Sequence, residues 1–203
     1  MSQVAGIDTI LIELDAFSPK GYFVGLHIRF ASPLIMFQTY DAAWTDIYTE
    51  RGYALRDPMI AWGFTADGAI RWRDIPVPDT FGIMAEAREH GLTYGVAVSC
   101  GPLNSRTIAG CARDDREYLD EEITAIEKIV QRLHKASEPP TGLTQAQKEA
   151  LRLIADGDRH AAAAAKLGIS ESALKARLNS ARTNLMARTT AEAIQRAKDY
   201  QLI

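Results

Sequence analysis

The segment Ser137-Glu138-Pro139-Pro140-Thr141-Gly142 puts two prolines and a glycine directly after a long helical pattern, and so constrains the chain to a two-part organisation. Proline lacks the donor that a helix or central strand needs, and glycine adds freedom that an element interior disfavours. Residues 137–142 are therefore read as a linker between an N-terminal domain, residues 1–136, and a C-terminal domain, residues 143–203. Charge changes sign across the break. The formal net charge is −3 over 203 residues, but residues 1–142 hold 13 Lys and Arg against 20 Asp and Glu, or −7. Residues 143–203 hold 10 against 6, or +4. A basic excess confined to the second part suits a phosphate-binding surface there.

The two parts also differ in periodicity. In residues 22–30, Leu26, Ile28 and Phe30 alternate with His27 and Arg29, the period of a half-buried strand. Residues 34–38 read as its antiparallel neighbour across Ser32-Pro33. Residues 41–53 and 78–90 read as helices, the second closed by Gly91. Val96, Val98 and Cys100 alternate as a strand, followed by a turn at Gly101-Pro102 and a further strand over 107–112. Residues 115–135 form the clearest helix, with Leu119, Ile123, Ile126, Val130 and Leu133 recurring at spacings of four and three. That seam suits core packing and a dimer contact equally. The expected class is α+β: an α-β-α sandwich around a mixed, largely antiparallel sheet, followed by an all-α domain.

Several function classes find no support. The four histidines, His27, His90, His134 and His160, are scattered without metal-ligand spacing, and nucleophile-elbow, phosphate-loop and dinucleotide fingerprints are absent. No enzyme, metal or cofactor is expected. Cys100 and Cys111 match no ligand spacing and read as free buried thiols. Without a leader-like segment or a long apolar run, a cytoplasmic protein making no membrane contact is expected.

The candidate binding residues are Tyr40, Trp44, Tyr48, Asp57 and Trp72, spaced Y-x3-W-x3-Y-x8-D-P-x13-W. Aromatics at i, i+4 and i+8 share one helix face, and an acid follows where Pro58 should force the chain out of helix. An isolated aromatic stripe is more often plain core. Here the acid, Trp72 and the segment Gly91-Leu92-Thr93-Tyr94-Gly95 fall in register with it, and the whole resembles the autoinducer-binding domain of the LuxR family of quorum-sensing transcription regulators. The resemblance implies a small-molecule signal, an N-acyl-homoserine lactone or similar amphipathic molecule. It implies that Trp44 donates to the lactone carbonyl, that Asp57 accepts the ligand amide N–H, and that Tyr40 donates to the amide carbonyl. Tyr48 and Trp72 would wall the site, with Cys111 near a position where the family often has Ser or Thr.

The C-terminal residues resemble the same family's helix-turn-helix domain. Thr144 with Gln147, and Thr189 with Glu192, make capping boxes; Gly157 ends one helix; and Leu167-Gly168-Ile169-Ser170 supplies a tight turn before the next. In that next helix Leu174, Leu178, Ala181 and Leu185 form the core face, leaving Ser172, Lys175, Ala176, Asn179 and Arg182 opposite. Ser172, Lys175, Asn179, Arg182 and Arg188 are the candidate contacts to double-stranded DNA, with Arg152, Arg159 and Lys166 as outlying phosphate contacts. Gln147, Arg177, Asn184 and Thr190 stand where the family usually has Glu, His, Lys and Arg. Two fewer cations imply a weaker phosphate grip. The expected assembly is a homodimer, with a heterodimer that dilutes a related regulator as the alternative.

Overall fold

The computed structural model describes residues 2–28, 32–138, 143–200 and 202–203. The chain divides into two compact units, Met1–Ser137 and Glu138–Ile203. Phe30 of the expected first strand and most of the expected linker, residues 139–142, lie outside the described residues.

The first unit is built on a five-stranded sheet in the order β2-β1-β5-β4-β3. Its strands are β1 (Tyr22–Ile28), β2 (Ile35–Gln38), β3 (Gly68–Arg71), β4 (Tyr94–Cys100) and β5 (Arg106–Arg113). Every neighbouring pair is antiparallel, where the sequence suggested a mixed sheet. Helices α1 (Ser2–Asp15) and α5 (Asp120–Ala136) cover one face, burying Leu14, Ile126, Val130 and Leu133 against Val24, Leu26, Val96 and Val98. Helices α2 (Ala42–Glu50), α3 (Pro58–Gly63) and α4 (Ile83–Glu89) cover the other.

Three elements escaped the pattern reading. The first is α1, whose Ile7, Ile10, Leu11 and Leu14 are buried at helical spacing on the same core as α5. The second is α3, because Pro58 starts a helix here. Its missing N–H is one of the donors a first turn cannot use, and Asp57 caps that turn by accepting from Met59 N at 2.7 Å. The third is β3, a four-residue edge strand. Helices α4 and α5 also begin about a turn late. The Asp79 carboxylate accepts from the Ile83 and Met84 amides, each at 2.8 Å, and Glu122 accepts from Leu119 N at 2.8 Å, so side chains define both starts.

His27 departs from simple alternation. The register slips between Gly25 and Ile28, His27 takes φ of 52°, and its ring is 1% exposed. Nδ1 bonds Ser105 Oγ at 2.7 Å, and Nε2 lies 3.0 Å from the His134 carbonyl. Burial, reinforced by the neighbouring His134 ring, holds its pKa down at about 4. Cys111 is buried and Cys100 half-buried, both as free thiols. Burial pushes them up to about 12 and about 11.

The second unit comprises α6 (Gln145–Ala155), α7 (His160–Lys166), α8 (Glu171–Asn184) and α9 (Thr190–Asp199). Gly157 at φ 93° and Gly168 at φ 64° follow α6 and α7 in the left-handed conformation glycine tolerates. Ala163 and Ala164 are buried against the core formed by Leu151, Leu174, Leu178 and Leu185, so small side chains let α7 and α8 approach closely. Among the described residues no helix is long and apolar enough to cross a membrane.

Candidate functional site

Side-chain alternation makes one face of the central strands nearly flat. Gly95 and Ala97 on β4, and Gly110 and Ala112 on β5, point toward α2, α3 and α4, and their small size lets large side chains lie directly on the backbone. A Cβ at Gly95 would fall 2.1 Å from Trp72 Cδ2, and one at Gly110 would fall 2.7 Å from Met59 Sδ.

Four aromatics and an acid converge there. Trp44 is 4% exposed, with Tyr48 edge-on at 5.6 Å between ring centroids. Tyr53 lies 5.8 Å from Tyr48 and 6.2 Å from Trp44, and the His90 ring is 5.6 Å from Trp44. Asp57 is 5% exposed; Tyr48 Oη donates to its Oδ2 at 2.7 Å, while Oδ1 accepts the Met59 amide. Burial raises the Asp57 pKa, and the Tyr48 and backbone hydrogen bonds offset part of that rise. A carboxylate has roughly four lone-pair sites, so the Tyr48 hydroxyl and the Met59 and Ile60 amides leave room for one further donor.

Tyr40 precedes α2 rather than lying on it, since Asp41 is that helix's N-cap. Its hydroxyl nevertheless reaches the sheet, donating to Gly110 O at 2.7 Å. Tyr40 has one proton, and a ligand carbonyl must compete with Gly110 for it. Trp72 packs with both Trp44 and Met59 clusters, and its indole Nε1 is buried without a hydrogen-bond partner among the described residues.

Cys111 does not join this group. Strand alternation turns its side chain, with that of Ala109, to the α1 and α5 face, where it packs with Tyr22 and Val96. The β5 residues on the aromatic face are Gly110 and Ala112, which offer no polar side chain. Tyr53 and Glu86 went unnoticed in the sequence. Tyr53 Oη donates to Glu86 Oε2 at 2.6 Å and Arg51 Nη1 to Glu86 Oε1 at 2.8 Å, joining α4 to the end of α2 across the aromatic cluster. The partners are 33 and 35 residues apart, so no local spacing reveals them.

In the second unit, Leu174, Leu178, Ala181 and Leu185 are buried, and Ser172, Lys175, Ala176 and Asn179 are exposed. Arg182 is half-buried rather than solvent-facing: Nη1 donates to Asn179 Oδ1 at 3.2 Å, and Nε is enclosed. Arg188 is exposed in the turn before α9, and Lys166 is held by Asp158 at 2.7 Å.

Asn184 is half-buried and bonds inward. Its Nδ2 donates to Gln147 Oε1 at 3.3 Å, and Gln147 also accepts from Thr144 N at 2.9 Å and donates to Ser180 Oγ at 2.8 Å. Asn184 and Gln147 thus form a neutral amide pair joining α6 to α8. Gln147→Ala removes all three bonds, and a cost of about 2 kcal/mol is expected in chemical denaturation of the C-terminal unit. A loss within experimental error would show that the amide pair carries no stability.

Residues 23–136 match the family described as Autoinducer binding domain. The HTH-type quorum-sensing regulator RhlR of Pseudomonas aeruginosa is 30% identical over 148 residues, covering 66% of this chain and 61% of RhlR. The alignment thus spans less than two thirds of that relative. The crystal structure of Escherichia coli SdiA aligns with a TM-score of 0.57 at 21% identity, covering 97% of this chain and 92% of SdiA. The LuxR-family factor CepR2 of Burkholderia cenocepacia aligns at 0.51 and 18% identity, covering 66% and 82%. With the family match spanning the sheet and both helical layers that frame Trp44 and Asp57, the chain belongs to the LuxR family, and residues 23–136 are its autoinducer-binding domain.

Proposed function

We propose that this protein is a transcription regulator that takes an amide-bearing amphipathic signal, an N-acyl-homoserine lactone or a close analogue, among Tyr40, Trp44, Tyr48, Asp57 and Trp72, and binds double-stranded DNA through α8. The observation that carries the ligand reading is Asp57, a carboxylate 5% exposed amid aromatic rings. Such a group accepts only, and its burial is offset best by an added N–H worth about 1.5–3 kcal/mol. SdiA, of similar fold, is described in complex with octanoyl-rac-glycerol, whose head group has no nitrogen. The fold alone therefore admits several acyl ligands, and Asp57 is what argues for an amide. Native mass spectrometry of protein produced with short-, medium- and long-chain lactones should show one lactone per chain. Bare protein in every case would overturn the lactone reading.

For DNA, the proposed contacts are Ser172, Lys175, Asn179, Arg182 and Arg188, with a homodimer placing two α8 helices in successive major grooves. A cytoplasmic location accords with that role. Lys175 is the cleaner probe because it is exposed, whereas Arg182 also packs. Lys175→Ala should weaken binding across sequences and lower the salt slope by about one if it meets a phosphate. Unchanged affinity in both Lys175→Ala and Arg182→Ala would favour a heterodimer that dilutes a related regulator.

A further inference from the structure

Trp44 and Asp57 are both buried, so a molecule reaches them only when a covering side chain moves aside. Other walls of the aromatic cluster are anchored. The sheet beneath is held by the β4 and β5 ladder, α3 buries Met59 and Trp62, and α4 buries Ile83 and Ala87. Residues 51–56, which join α2 to α3, are held less firmly: Tyr53 is buried, whereas Arg51, Ala54, Leu55 and Arg56 are exposed. Tyr53 itself runs from interior to surface. Its ring packs against Trp44 and Tyr48, while its hydroxyl donates to Glu86 Oε2 at 2.6 Å and accepts from Arg51 Nη1 at 3.0 Å. Arg51 Nη1 also bonds Glu86 Oε1 at 2.8 Å, and both of these side chains reach solvent. Gly52, just before the ring, takes φ of 62°, and a Cβ there would meet nothing within 4 Å, so the turn has open space on that side.

We propose that Tyr53 is the gate of the aromatic site: its ring swings outward to admit the signal, and Glu86 and Arg51 latch its hydroxyl when the site is closed. The inference rests on the ligand reading of Trp44 and Asp57. Rotation about the Tyr53 Cα–Cβ bond takes the ring off Trp44 and Tyr48 and leaves the backbone in place. The Tyr53 carbonyl keeps the amides of Arg56 at 2.8 Å and Asp57 at 2.9 Å, so no ladder or helix bond is broken. What breaks is the pair of hydrogen bonds at the hydroxyl, together with the ring contacts. That is a local opening of one side chain, well short of unfolding the domain.

Two variants release the latch from opposite sides: Glu86→Ala, which puts a good helix former on α4, and Tyr53→Phe, which keeps the ring. The readout is hydrogen exchange of the Trp44 indole N–H in ¹⁵N-edited spectra of the full chain without ligand, compared with the ladder amides of β4. In wild type the indole should exchange faster than those amides and with a rate that low denaturant leaves flat, since a swinging side chain exposes little surface. Each variant should speed it about tenfold and keep it flat. Rapid mixing of N-octanoyl-L-homoserine lactone with Glu86→Ala should then show association and dissociation both faster by a common factor of about ten, with Kd close to that of wild type. A Trp44 rate that follows the β4 amides in denaturant, or that neither variant changes, would overturn the gate, as would a lactone whose dissociation alone accelerates. The exchange arm needs no ligand, so a wild type that takes no lactone counts against the ligand reading while Trp44 exchange still decides the gate.

Discussion

Asp57→Asn should leave the ligand-free protein at least as stable as wild type at pH 7 while removing most of the stabilisation that an N-acyl-homoserine lactone confers. In the free protein the substitution is well accommodated. Asparagine Oδ1 still accepts the Met59 amide, and Nδ2 can donate to Tyr48 once that hydroxyl turns from donor to acceptor. Charge adds to the expectation. Burial raises the Asp57 pKa, so its contribution to stability is full below the unfolded carboxyl's pKa and is lost as pH rises through the folded one. The neutral amide has no such titration, and the gap between variant and wild type should open in its favour as pH rises.

Ligand reverses the comparison. A molecule that binds only the folded state stabilises it by about 2.7 kcal/mol at a hundredfold excess over Kd, or about 5–10 °C for a chain of this size. Asparagine offers a ligand N–H a weaker acceptor and presents a competing donor, so most of that gain should vanish. Trp44→Phe keeps the wall, drops one donor and should lose less. The measurement is a thermal melt of wild type and both variants with lactones of graded chain length. All three tryptophans lie in the first unit, so fluorescence reads the relevant transition. A wild-type midpoint that no lactone moves would leave the aromatic site to another ligand, and an Asp57→Asn protein responding like wild type would remove the carboxylate from recognition.

Gly95→Ala is expected to cost about 3 kcal/mol and to abolish ligand binding. The added Cβ would sit 2.1 Å from Cδ2 and 2.2 Å from Cε2 of Trp72, atoms at the fused edge of a rigid ring. The ring has to move as a whole, and it belongs to both apolar clusters on that face. Gly110→Ala is the instructive contrast. Its nearest obstacle is Met59 Sδ at 2.7 Å, an atom near the end of a flexible chain, so a cost of about 1 kcal/mol is expected. Denaturation of both variants, repeated in a Trp72→Ala background, separates the causes. There Gly95→Ala should become nearly neutral, giving a coupling of about 3 kcal/mol. An undiminished penalty would place the strain in the backbone rather than against the indole.

Local rules account well for the second unit. Its capping residues Thr144, Ser170 and Thr189, its left-handed glycines and the Leu174-Leu178-Ala181-Leu185 face all act within one or two turns of chain, and each occurs in the structure where the sequence put it. In the first unit the same range of influence revealed β1, β2, β4, β5 and the residues of the aromatic constellation, along with the seam of α5 except for Leu119, which is the exposed N-cap of that helix while Ile129 is buried in its stead. It misjudged Pro58, because a proline that breaks one helix also suits the first turn of the next, and only the Asp57 cap distinguishes the two outcomes. What tertiary structure alone decided are relations between distant segments: that Cys111 faces α5 while Gly110 faces Tyr40, that Tyr53 meets Glu86, and that Asn184 turns inward to Gln147. A one-residue change of register inverts every side chain of a strand, and hydrogen bonds between residues more than 30 positions apart leave no periodic trace, so these contacts are fixed by packing rather than by any pattern along the chain.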